Sequence, residues 1–274
     1  MGNTLRAGLD WFSASRADGP GGWEWAMKGI HAINAIGDMG HELRAHSQQG
    51  YQGIRAGGRF VGSRHDGYFV QITGHHADEY FSELMCEECN VTRIDYQVTV
   101  QYDDMPTELG EEVYNASRVY ASSLPESKRW KTYRFEGDDG GYSAYIGSTG
   151  SKQRACVYNK DKQANTPEYE RCWRFEVRYR HELAHKWAID CLNATAARPD
   201  YVLEVVASWM QSRGIYRAEF GEYGERPLAR VSARTTDVER KLDWLRRQVA
   251  PSVKWLQSRT DSSTIMAALG LTEL

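Results

Sequence analysis

The sequence predicts an α+β fold: a large, mostly antiparallel sheet built from two related halves, with helices on one face and a helical C-terminal tail. Three observations lead there. Strand-like runs with alternating polarity occur at 91–102 and 173–180, the pattern of a sheet with one face on a core and one face open. Two segments, about 50–102 and 130–180, look like copies of each other. The first contains Phe60-Val-Gly-Ser63 and ends at Arg93-Ile-Asp-Tyr96; the second contains Tyr145-Ile-Gly-Ser148 and ends at Arg174-Phe-Glu-Val177. Finally, residues 199–274 carry mainly helical patterns.

In chain order, residues 5–15 read as a first strand and 16–22 as a Gly/Pro turn. Trp25, Ile30, Ile33 and Ile36 give 23–47 a helical face. A strand meander spans 50–74, turning at Gly57-Gly58 and near Asp66-Gly67. A helix is expected at 76–88. In the strand 91–102, Thr92, Ile94, Tyr96, Val98 and Val100 face one way and Arg93, Asp95, Gln97, Thr99 and Gln101 the other. The second half repeats this with a helix at 108–120 and strands at 130–136 and 142–147. In a strand over 153–163, Arg154, Cys156, Tyr158, Lys160 and Lys162 share a face. In 173–180, Arg174, Glu176, Arg178 and Arg180 oppose Trp173, Phe175, Val177 and Tyr179. Helices follow at 181–192 and 199–213, then a last strand at 215–221. Thr236-Asp-Val-Glu239 reads as a capping box opening a helix through Val249. Pro251 begins a new segment, and 262–269 reads as a short helix. No linker forces a boundary, so 1–274 reads as a single domain.

The bulk composition narrows the function. A net charge of -3 argues against a chain whose whole surface clings to nucleic acid, although Arg171, Arg174, Arg178, Arg180 and Lys186 leave room for a local basic face. No apolar run is long enough for a membrane span, and Met1-Gly-Asn-Thr-Leu-Arg-Ala lacks the order of a signal peptide. Five cysteines, an odd number, read as reduced thiols, so a cytoplasmic location is expected with no membrane partner.

Acids at matching places in the two copies point to a pseudo-twofold site joining Asp95 to Glu176, and two such carboxylates suit a hard divalent cation. The alternative is a pair of salt bridges to the neighbouring arginines. Arg174 and Arg178 could clamp a phosphate or brace these acids. The first copy carries Gln71 in the strand where the second carries Tyr158. Cys86-Glu-Glu-Cys89 has zinc-like spacing but no second pair, and reads as ordinary thiols. His181 and His185 read as a helix face, and the Gly-rich stretch 57–67 lacks the pattern of a phosphate-binding loop.

Taken together and in order, Leu9-Asp-Trp-Phe-Ser13, Val91-Thr-Arg-Ile-Asp95, Tyr145-Ile-Gly-Ser148, Arg154-Ala-Cys-Val-Tyr-Asn-Lys160, Trp173-Arg-Phe-Glu176 and Trp244-Leu-Arg-Arg-Gln-Val-Ala-Pro-Ser252 resemble the replication initiation factor family over roughly residues 5–270. That family includes rolling-circle initiators of plasmids, replication proteins of filamentous phages and relaxases of integrative elements. The resemblance implies a tyrosine that attacks a DNA phosphodiester, leaving a 5′-phosphotyrosyl link and a free 3′-hydroxyl, with a carboxylate-held cation. It implies Tyr158 as nucleophile with Lys160 two residues on, and Asp95 and Glu176 as ligands of Mg²⁺ or Mn²⁺. From their own chemistry, Lys160 and Lys162 read as solvent-facing cations or phosphate contacts, and Arg154, Arg174 and Arg178 as candidate phosphate contacts. Cationic Lys160 or Lys162 would favour the phenolate. Tyr145 is the rival tyrosine and reads as core. Asp10 reads as a further ligand or a structural hydrogen-bonding group. Members often carry an acid after the lysine; this chain has Gln163 there. The implied partners are origin DNA, single-stranded or cruciform-extruded, a host helicase and polymerase, and a second copy in a homodimer. A conjugative relaxase and a non-catalytic DNA-binding regulator are the alternatives. The helix at 236–249, with Arg240, Lys241, Arg246 and Arg247, is the expected base-reading element.

Overall fold

The structure, a computed structural model, describes residues 3–37, 42–86, 88–221 and 250–268. The chain divides into two compact units, Met1–Pro227 and Leu228–Leu274.

The first unit is built on a ten-stranded sheet. Its strands are β1 (Thr4–Ala17), β2 (Arg44–Gln48), β3 (Tyr51–Ala56), β4 (Arg59–Arg64), β5 (Gly67–Thr73), β6 (Cys89–Gln101), β7 (Thr132–Glu136), β8 (Tyr142–Ile146), β9 (Gln153–Asn159) and β10 (Cys172–Arg180). They lie in the order β2-β3-β4-β5-β1-β6-β10-β9-β8-β7, with every neighbouring pair antiparallel. Helices α1 (Gly22–Gly37), α2 (His76–Leu84), α3 (Leu109–Ser123), α5 (Glu182–Leu192) and α6 (Arg198–Gln211) share one core with the sheet. The short α4 (Lys160–Ala164) packs beside β10 instead. The α+β prediction is therefore met.

The core forms where the alternating strands turn their apolar sides to the helices. Phe12, Ile72, Ile94, Tyr96, Val98, Val157, Phe175 and Val177 meet Ile33, Phe81, Trp187, Val202 and Val206 in one buried cluster. Tyr96 donates its hydroxyl to the Trp187 carbonyl at 2.7 Å, so the large polar ring is satisfied inside.

The two acids sit symmetrically about the β6–β10 strand pair. Asp95 on β6 faces Arg178 on β10, and Glu176 on β10 faces Gln97 on β6. This is the register a local twofold requires, and it matches the sequence duplication. The symmetry stops one strand out. β9 pairs directly with β10, whereas β1 is inserted between β5 and β6. Two irregularities mark this inserted strand. Pairing steps from Leu9↔Tyr96 to Trp11↔Asp95, leaving Asp10 as an extra residue, and from Ser13↔Arg93 to Ala14↔Val91, leaving Thr92 as another. Each is a β-bulge, which re-aims a side chain. Thr92 therefore leaves the face of Ile94 and its hydroxyl meets that of Ser13 at 3.0 Å, contrary to simple alternation.

Other boundaries also differ from expectation. The helix expected over 23–47 ends at Gly37, and 44–48 form β2, a short polar edge strand without an apolar stripe. The strand expected over 153–163 ends at Asn159, whose Oδ1 accepts from the Lys162 amide at 3.0 Å and caps α4. Lys160 and Lys162 are thus on a helix, not on the strand face of Tyr158. The strand expected at 215–221 is instead irregular chain with a single 3₁₀ turn, Ala218–Phe220.

In the second unit, the described residues form α7 (Ala250–Gln257) and α8 (Ser262–Ala268), in keeping with a helical tail. The helix expected at 236–249 lies outside the described residues.

A close approach in the first half gives a stability prediction. Gly53 pairs with Gly62, and a Cβ at Gly53 would stand 1.9 Å from the Val61 carbonyl oxygen. Gly53→Ala is expected to cost about 1–3 kcal/mol, read as an earlier urea midpoint. An unchanged midpoint would show that β3 and β4 yield freely at this point.

Candidate active site

The open face of the sheet brings the predicted residues together in two cross-strand rows. One runs Thr99, Arg174, Tyr158, Ser143, Phe135; the other runs Gln97, Glu176, Cys156, Tyr145, Tyr133. A cavity of about 340 Å³ opens on this face, and Asp10, Glu176, Tyr158, Arg178 and Lys162 are among its walls.

Asp95 is held from both sides. Arg93 reaches both carboxylate oxygens, with Nε donating to Oδ1 at 2.9 Å and Nη2 to Oδ2, and Arg178 Nε donates to Oδ2 at 3.0 Å. Its side chain is 1% exposed and it does not line the cavity. Arg178 also donates through Nη2 to Glu176 Oε1 at 3.0 Å, so one guanidinium bridges the two acids. Arg174 bridges differently, donating to Asp10 Oδ1 at 2.7 Å and to Thr99 Oγ1 at 3.0 Å. Arg178 thus braces Asp95 and Glu176, whereas Arg174 braces Asp10.

This geometry bears on the expected pairing of Asp95 with Glu176. Asp95 is beside Glu176, yet its oxygens belong to arginines. Asp10, carried onto the open face by the β1 bulge, lines the cavity with Glu176, as does Asp139 from the β7–β8 turn. Burial, followed by the negative charges of Asp95 and Asp10, pushes the Glu176 carboxyl up to about 8. Among the described residues, no group of three or more His, Cys, Asp or Glu side chains is arranged to hold a metal ion. In chemistry, two carboxylates on one cavity wall are a donor set that suits Mg²⁺ or Mn²⁺, which take one or two such ligands and complete their shell with water and substrate oxygens.

Tyr158 is buried in the cavity wall. Burial, then the charge of Glu176, pushes its phenol upward, and Arg174 only partly opposes this. Burial and Glu176 thus outweigh the phenolate support expected from lysine. Lys160 Nζ lies 5.9 Å from the Tyr158 ring centre and 5.0 Å from that of Tyr169. It donates to Gln163 Oε1 at 2.8 Å, so the amide at the position where family members often carry an acid still serves as an acceptor, without the charge. Burial, then Arg174, pushes the Lys160 ammonium down.

Tyr145, expected in the core, faces the cavity with Arg154 stacked 4.3 Å from its ring centre. Sequence reasoning missed Trp11, which lines the cavity and carries Arg93 at 3.6 Å from its ring centre. It also missed Phe135 on the outermost strand. Strand alternation could have suggested Phe135; no sequence signal marks the bulge that turns Trp11. Cys86 and Cys89 are free thiols, Cys89 pushed up to about 11 by burial. His185 Nδ1 accepts from the Val91 amide at 3.3 Å and so serves packing.

Comparison with known proteins bears on the family and the fold. The family model described as replication initiation factor matches residues 90–269. A solved rolling circle replication initiator protein from Geobacillus stearothermophilus superposes with a TM-score of 0.50 at 18% identity, covering 76% of this chain and 85% of that one. At that identity the likeness speaks for the fold. Among curated proteins no match was found.

Proposed function

Since the chain belongs to the replication initiation factor family, we propose that it nicks one strand of a rolling-circle origin through a covalent tyrosine intermediate. The observation that carries this reading is the burial of Tyr158 in one cavity with Glu176 and Asp10 on the open sheet face. Tyr158 Oη would bond to the scissile phosphorus while the bond from phosphorus to O3′ breaks. The 3′ oxygen takes up a proton and leaves as a hydroxyl that primes a polymerase. The phosphotyrosyl bond keeps the energy of the broken linkage for rejoining ends.

Each side chain has a part. Glu176 and Asp10 would hold the divalent cation, which supplies positive charge against the phosphoryl oxygens and against the repulsion around Tyr158. Arg178 and Arg174 fix the carboxylates, and Asp95 anchors Arg178 and Arg93 in turn. Lys160, Lys162 and Arg154 supply positive charge along the path of the strand. A helicase to open the duplex and a second copy of the chain are further proposed partners.

The test is direct. Incubated with single-stranded origin DNA and Mn²⁺, the protein is expected to form an adduct that survives a denaturing gel. No adduct with any origin-containing strand would leave a non-catalytic DNA-binding protein as the reading. For the cation, calorimetric titration with Mn²⁺ is expected to show at least about tenfold weaker binding in both Glu176→Ala and Asp10→Ala. Unaltered affinity in both variants would move the cation elsewhere.

A further inference from the structure

The outermost strand of the second half reverses the usual polarity of a sheet. On β7, the side turned to α3 is polar: Arg134 donates to Glu111 Oε2 at 2.7 Å and stacks 5.4 Å from the Tyr114 ring centre. The side turned to the open face is aromatic. Phe135 is 66% exposed and Tyr133 is 43% exposed. A single exposed aromatic ring needs no explanation. Two on one face of one strand, each continuing a row of the active site, do.

The register shows that continuity. Phe135 faces Ser143, which faces Tyr158; Tyr133 faces Tyr145, which faces Cys156. Each exposed ring therefore stands two strands, about 10 Å, from the nucleophile's strand. Phe135 lines the same cavity as Tyr158 and Lys162. Arg154 starts from the next row out, opposite Arg178, and its guanidinium lies over Tyr145. The surface thus sets flat apolar rings beside cations.

From this arrangement we infer that Tyr133 and Phe135 form a stacking platform for unpaired bases next to the scissile phosphate. The occupant is a single nucleic-acid strand, because each ring offers a face to a base while Lys162 and Arg154 meet its phosphates. A duplex hides its base faces, and the cations beside the rings match a phosphate backbone rather than an apolar protein surface. Stacking of this kind is sequence-tolerant and would hold the strand in line without reading it. The inference rests on the nicking function above but concerns strand binding, which can be measured without cleavage.

The test compares variants by fluorescence anisotropy on a fluorescein-labelled single-stranded oligonucleotide, with the matching duplex as control. Tyr133→Ala/Phe135→Ala is expected to weaken single-strand binding by about tenfold or more, and duplex binding much less. Phe135→Trp is expected to stay within about twofold of wild type, since the larger ring still stacks. Both positions are exposed, so the fold is expected to stand, with circular dichroism as the check. Equal single-strand affinity in wild type and the double alanine variant overturns the platform alone. Failure of the wild type to bind any single strand overturns the platform together with the nicking function. Unchanged strand affinity with an altered mass by light scattering also overturns it, and assigns the rings to contact between copies.

Discussion

Tyr158→Phe is expected to abolish the covalent DNA adduct and lower strand cleavage by on the order of 10⁴-fold or more, the scale seen when a covalent nucleophile is removed. The substitution deletes one oxygen and leaves the ring that fills the cavity wall. Affinity for single-stranded DNA is therefore expected to stay within a few-fold of wild type, and the urea midpoint to move little. This separates chemistry from binding. The adjacent tyrosines offer a control. Tyr145 is beneath Arg154 in the neighbouring row, and Tyr169 packs against Lys160 and Arg174. Tyr145→Phe and Tyr169→Phe are both expected to keep the adduct. An adduct that persists in Tyr158→Phe and vanishes in either of these would reassign the nucleophile.

Asp95→Ala is expected to be the most destabilising change in the site, by about 3–5 kcal/mol. The reason is not the lost hydrogen bonds alone. Arg93 and Arg178 are mostly buried and meet at this one carboxylate. Without it, two desolvated guanidinium groups face each other with Glu176 as the remaining counter-charge. Asp95→Asn keeps the size and some acceptor capacity, so a smaller loss is expected. Chemical denaturation of both variants beside wild type provides the measurement. A variant Asp95→Ala that unfolds at the wild-type urea concentration would remove the anchoring role. If that variant also lost Mn²⁺ binding while fully folded, Asp95 would return as a ligand.

What the sequence revealed and what it hid have physical causes. The strands 89–101 and 172–180 were legible because each packs one face on helices and leaves the other polar, so alternation is written residue by residue. The matched acids were legible because the duplication survives in Arg93–Tyr96 and Arg174–Val177. Asp10 and Trp11 were only half legible. Their motif stood out, but an extra residue in a strand leaves no composition mark, and it decides which face both occupy. β2 was hidden because a short edge strand of Arg, Ala, His, Ser and Gln carries no stripe. The turn of Lys160 and Lys162 away from the strand was written in the chain, since Asn159 before Lys-Asp-Lys-Gln is a capping signal. The upward push on Tyr158 was invisible for a different reason. It depends on burial and on Glu176 across the sheet, and neither can be read from the lysines beside it in sequence.

The placement of β1 in the middle of the sheet bears on how the protein is made. β1 leaves the ribosome first, yet its neighbours are residues 67–73 and 89–101, and the strand carrying Glu176 comes later still. Asp10 must wait for partners from three later parts of the chain before it can face Tyr158. A translation product that stops before residue 176 has the tyrosine and two of the acids but no finished cavity. Such a fragment lacks Glu176, and with it one of the two carboxylates proposed to hold the cation.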